Sequence, residues 1–96
     1  MIYGFSAEEY VEDDGSITLA LDQIDLVENA KDRETAIIKL AKSIYEYAEE
    51  YCSEYELYHS APNRRHHLPY VIKALAISDP EKIGGCINCR EGILQK

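Results

Sequence analysis

The chain has 96 residues, a formal charge of −8 and three cysteines. That length holds one domain with a modest core and leaves little room for a deep, enclosed active site. An odd number of cysteines with no Trp does not describe a secreted disulfide scaffold. The charge is unevenly laid out: residues 1–58 carry fifteen Asp and Glu against four Lys and Arg, and residues 59–96 carry three against six. Such an acidic body repels nucleic acid and speeds encounter with a basic protein partner, although acidity also serves plain solubility. Nothing approaches the length of an apolar membrane span, and Met1 leads into Ile2, Tyr3, Gly4 and Phe5 without a basic n-region. A cytoplasmic protein that makes no membrane contact is expected.

Residues 2–11 mix Tyr3, Phe5, Ala7, Tyr10 and Val11 with polar positions and predict a first, imperfect strand. Glu12, Asp13, Asp14 and Gly15 follow as an acidic turn whose glycine can take a positive φ. Ile17, Leu19 and Leu21 alternate with Thr18, Ala20 and Asp22, which predicts a second strand with one packed and one wet face. The apolar phase then slips by one to Ile24 and Leu26, the mark of a bulge or bend into a third short strand before Asn29.

From about Arg33 to Tyr58 one long amphipathic helix is predicted. Its stripe is Ile37, Ala41, Ile44, Ala48, Tyr51, Tyr55 and Tyr58, widened by Leu40, Tyr47 and Cys52. Asp32 is the N-cap, and Glu34 sits where the helix dipole favours a negative charge. A helix of that span is roughly 39 Å long, so its far end is expected to meet a partner. The small Ala41 and Ala48 would also let another backbone approach.

Past His59 the character changes. Pro62 and Asn63 mark a turn, and Pro69 opens a second helix turning Val71, Ile72, Leu75 and Ala76 inward. Ser78, Asp79, Pro80 and Glu81 resemble a capping box for a further short helix stopped by Gly84 and Gly85. Cys86 to Lys96 has no strong period and reads as either a short strand or a frayed tail.

The candidate chemistry is sparse. Cys86 and Cys89 form a Cys-x-x-Cys that could share a zinc ion or act as a dithiol, yet His59, His66, His67 and Cys52 stand at no standard finger spacing. No cofactor is expected. The loop Arg64, Arg65, His66 and His67 could hold an anion or phosphate backbone, or pair with the chain's own acidic helix. No nucleophile or metal constellation supports an enzyme. The tyrosines of the long helix are more informative, because tyrosine buries apolar area while tolerating a wet edge. Tyr47, Tyr51, Tyr55 and Tyr58, with Glu50 and Glu54, are therefore the candidate partner contacts, and core packing is the alternative for Tyr51 and Tyr55.

The acidic turn Glu12 to Gly15, the strand Ile17 to Leu21, Asp25-Leu26 and the helix start Ala30 to Ala36 together resemble the HicB-like antitoxins. The resemblance covers roughly residues 2–50. It implies a degenerate dsRBD-like domain that binds and neutralises a small basic ribonuclease, with a C-terminal segment that often binds operator DNA. Residues 59–96 show no helix-turn-helix or ribbon-helix-helix pattern.

The expectation is an α+β fold: a three-stranded antiparallel meander on one long helix in residues 1–58, with the basic loop, short helices and Cys-x-x-Cys tail of 59–96 packed on the same domain. The expected function is an antitoxin-like homodimer that binds a small basic toxin, with operator DNA as a further partner. The alternatives are a metal-binding or redox-responsive module and a structural homodimer without activity.

Overall fold

The computed structural model describes residues 5–61 and 65–91. Strands β1 (Phe5–Val11), β2 (Ile17–Leu21) and β3 (Val27–Ala30) precede helices α1 (Arg33–Ser53) and α2 (Tyr55–Ser60). A 3-10 turn (Arg65–His67), helices α3 (Leu68–Ile77) and α4 (Pro80–Gly85), and strand β4 (Ile87–Glu91) complete the order.

The first three strands form the expected meander. Gly15, at φ +86°, closes the acidic turn, and the Glu12 amide donates to the Ser16 carbonyl at 2.8 Å. At the phase slip the chain bends and seats Ile24 in the core, while the Leu21 amide donates to the Leu26 carbonyl at 2.9 Å. The sheet has four strands in the order β3-β2-β1-β4, not three. β4 runs parallel to β1, with Phe5 opposite Ile87 and Ala7 opposite Cys89. The segment after Cys86 is thus sheet from Ile87 to Glu91; the rest of the expected tail lies outside the described residues.

Register puts Phe5, Ala7 and Glu9 of β1 on the same face as Leu19 and Leu21 of β2 and Ile87 of β4. That face packs on α1, whose buried residues are Ala36, Leu40, Ala41, Ile44, Ala48 and Tyr51. The spacing of these residues is the three-and-four alternation of a helix laid on a core. Helix α4 lies close against α1 because Gly84 has no side chain: a Cβ there would sit 3.3 Å from Ile37 Cγ2 and 3.6 Å from Ala41 Cβ. Glu9 and Glu28 are charged residues of the packed face: Ser43 of α1 donates to Glu28, and Arg33 forks onto Glu9 at 2.8 and 3.0 Å, fixing the first turn of α1 to β1.

Asp32 caps α1 as expected, accepting from the Thr35 amide at 2.7 Å. Asp79 does the same for α4, accepting from the Glu81 amide at 3.1 Å. Three packing expectations need correction. Cys52 does not widen the buried stripe; one residue past Tyr51 is about 100° further round the helix, and it lies on the exposed side. In α3 the inward residues are Val71 and Ala74, with Leu75 half-buried, whereas Ile72 is 57% exposed and Ala76 is exposed. The α3 stripe is set by its contact with α1 and not by the largest side chains it carries. The third correction is the most consequential: the long helix breaks at Glu54.

Candidate functional site

The break makes the site. Up to Ser53 the backbone is regular, but Glu54 takes φ −115° and ψ 41°, and α2 starts afresh at Tyr55. Local chemistry favours this place. The Ser53 hydroxyl donates back to the Glu50 carbonyl at 3.1 Å, sharing it with the Glu54 amide, which donates to it at 3.0 Å. Glu50 and Glu54, four apart, repel on a continuing helix. The redirected chain then lays Tyr58 against α1: its ring centroid is 5.5 Å from that of Tyr51 and 6.1 Å from that of Tyr47. Its hydroxyl donates to Glu50 Oε2 at 2.7 Å.

The four candidate tyrosines therefore divide by depth. Tyr51 is 0% exposed and belongs to the core, so its side chain offers nothing to a partner. Tyr47 is half-buried, edge-on to Tyr51 at 5.9 Å, with its hydroxyl 2.7 Å from His67 Nδ1. Tyr58 is half-buried and Tyr55 is 43% exposed. The last turns of α1 and the start of α2 carry Glu46, Glu49, Glu50, Glu54 and Glu56, all exposed. No basic residue stands in the last turn of α1, where the helix dipole favours a cation. Glu49 accepts from the Tyr45 hydroxyl, and that bond pushes the Tyr45 phenol above its usual range. The exposed Leu57 adds apolar surface to this acidic, aromatic end.

Of the basic loop, at least one member turns inward. Arg64 lies outside the described residues, and Arg65 opens the 3-10 turn. His66 is exposed, but His67 is 3% exposed and packs its ring edge-on to Tyr47 at 5.6 Å. Its role is to brace the tyrosine cluster. Sequence reasoning offered pairing of this loop with the long helix but not the burial of His67, because a His in a run of basic residues looks solvated.

Cys86 and Cys89 both pack, partly buried, against the core. Cys86 caps the end of α4, and Cys89 lies on the packed face of β4 opposite Ala7. Burial pushes the Cys89 thiol up, and the nearby Glu9 carboxylate adds to the shift. Among the described residues no group of three or more His, Cys, Asp or Glu is gathered to hold a metal ion. No helix of the described residues is long and apolar enough to cross a membrane.

The model of the PHD-like family, antitoxins of RelE/RelB toxin-antitoxin systems, matches residues 1–89. The chain belongs to this family. Among solved structures, this PHD-like chain is similar to the crystal structure of the antitoxin part of a proposed toxin/antitoxin system from Syntrophomonas wolfei subsp. wolfei. The two share 35% identity with a TM-score of 0.85, and the alignment covers 93% of this chain and 64% of that one. The PHD-like chain thus spans a little under two thirds of the length of that relative. No curated protein matches it. The antitoxin class agrees with what the residues of the first half suggest, but the matched family is PHD-like and carries nothing of the HicB-like assignment.

Proposed function

We propose that this antitoxin-family chain acts by binding and not by catalysis. It neutralises a small basic toxin of the ribonuclease class, in the cytoplasm, by covering it with the Tyr- and carboxylate-rich end where α1 breaks into α2. Tyr55, Tyr58, Glu50 and Glu54 are the contacts, and Tyr47 and Tyr51 hold them in place from beneath. The observation that carries this reading is the run of exposed carboxylates Glu46, Glu49, Glu50, Glu54 and Glu56 at a helix end without a basic residue. In the free chain these charges repel one another and oppose the dipole; a cationic protein surface relieves both. The aromatic edges among them supply the apolar area that a stable contact needs. The functional unit is a homodimer. The reading rests on protein binding and not on DNA, because the burial of His67 leaves the basic loop without one of its four members.

The test is a pull-down with the full chain from its native host. Recovery of a small basic protein that is toxic when expressed alone is the expected result. Glu50→Lys with Glu54→Lys should then weaken the complex about tenfold or more, mainly through slower association. Recovery of no such protein overturns the reading.

A further inference from the structure

Away from the tyrosine end, α1 and α4 bound a groove of about 560 Å³. Ile37, Ile38, Pro80, Gly84 and Gly85 make its lining apolar, and its charged members are Glu34, Glu81 and Lys42. Ile38 is 63% exposed there. The groove stays open because Gly85 has no side chain to fill it: a Cβ at that position would meet nothing within 4 Å. An apolar hollow of this size with a few charges around it is the form of a pocket that receives a bulky apolar group.

We infer that this groove takes a bulky apolar side chain of the toxin, flanked on the toxin by lysine or arginine. The inference rests on the toxin reading above and gives that partner a second hold on the chain. Charge selects the occupant. Two carboxylates, Glu34 and Glu81, stand against one ammonium, Lys42, and Lys42 has the exposed Glu46 one turn further along its own helix. The surround is therefore net negative, which favours a cationic surface over a neutral or acidic one. Position selects the same partner. Ile38, Lys42, Tyr45 and Glu49 follow at spacings of four, three and four and so share one side of α1. Glu49, a member of the exposed carboxylate run, lies about 16 Å along the helix from Ile38. A folded protein of about 100 residues is roughly 30 Å across and reaches both at once. Size adds a third argument: a stable contact takes about 800 Å² from each side, some 20–30 residues, more than the tyrosine end supplies alone. Carboxylates at one end and an apolar pocket at the other divide the work between speed of encounter and lifetime of the complex.

Binding kinetics of the full chain against the toxin recovered from its native host test this, with a thermal melt and a sedimentation run on every variant. Gly85→Phe puts a ring into the groove and should raise the dissociation constant on the order of thirtyfold, through faster dissociation. Ile38→Ser, at an exposed position that folding does not depend on, should act in the same direction by about fivefold. Glu34→Gln with Glu81→Gln should slow association about fivefold at low salt and leave dissociation nearly unchanged. Variants that melt as wild type and bind the toxin with unchanged kinetics overturn the groove as a toxin site; the toxin reading itself then still stands on Glu50→Lys with Glu54→Lys. Failure to recover any toxin overturns both. Gly85→Phe and Ile38→Ser that alter the sedimentation of the free chain but not its toxin kinetics assign the groove to a second copy and overturn the inference.

Discussion

Tyr51 and Tyr55 are the same residue type one helical turn apart, and the structure gives them opposite roles. Tyr51 is 0% exposed, with ring centroids at 5.9, 6.3 and 5.5 Å from those of Tyr47, Tyr55 and Tyr58. Truncating a fully buried aromatic costs about 3–5 kcal/mol, from lost burial together with the cavity left behind. A domain of this length has a total stability of about 5–14 kcal/mol, so Tyr51→Ala removes a large part of it. At about 4–8 °C per kcal/mol for domains of this size, the melting temperature should fall by roughly 15–30 °C. Tyr51→Phe, which keeps the ring, should recover most of that loss. Tyr55→Ala should melt within a few degrees of wild type, because its ring is 43% exposed. Circular dichroism melts at 222 nm, checked by urea titration, decide the matter. If Tyr51→Ala melts within about 5 °C of wild type, or Tyr55→Ala falls as far, the division of the cluster into core and surface is wrong.

The remaining expectations are more local. The Thr35 amide, and secondarily its side chain, hold the Asp32 carboxyl below its usual range. A group whose pKa is lowered by folding contributes stability above its unfolded value, and that contribution is lost as pH falls through the folded one. Stability should therefore decline below pH 4 more steeply in wild type than in Asp32→Asn, which caps without titrating; equal slopes in acid denaturation would remove the cap's role. Gly84→Val should destabilise by about 1–3 kcal/mol, because α4 has to lift from Ile37 and Ala41; an unchanged urea midpoint would show that the two helices are not closely packed. Arg33→Ala strands the Glu9 carboxylate on the packed face of the sheet, and Glu9→Gln should recover part of the loss in the double variant. Additive effects in that cycle would mean that the two side chains do not interact.

How much of this was legible from the residues depends on whether the deciding interaction is local. The start of α1 is written in Asp32 and Thr35, and β2 in the alternation of Ile17, Leu19 and Leu21, so both were legible. The break at Glu54 was not, since Tyr, Glu, Cys and Ser tolerate a helix, and what redirects the chain is the packing of Tyr58 onto Tyr47 and Tyr51. β4 was legible only as one of two readings of the tail: Ile87 and Cys89 alternate with Asn88 and Arg90, but its partner β1 lies some eighty positions earlier in the sequence. At the candidate site, the depths of the tyrosines were not legible. Helical spacing placed Tyr51 and Tyr55 on one stripe, and only the kink sorts the buried from the exposed. The inward turn of His67 follows from the hydroxyl of Tyr47, twenty positions away.

The central claim is that the chain binds and silences a basic toxin. The most direct measurement is co-expression with the gene beside it in its genome, followed by co-purification and a growth assay. The account predicts that the neighbour encodes a small basic protein that arrests growth alone, is harmless with this chain, and is released by Glu50→Lys with Glu54→Lys. A neighbour that is neither toxic nor retained contradicts it.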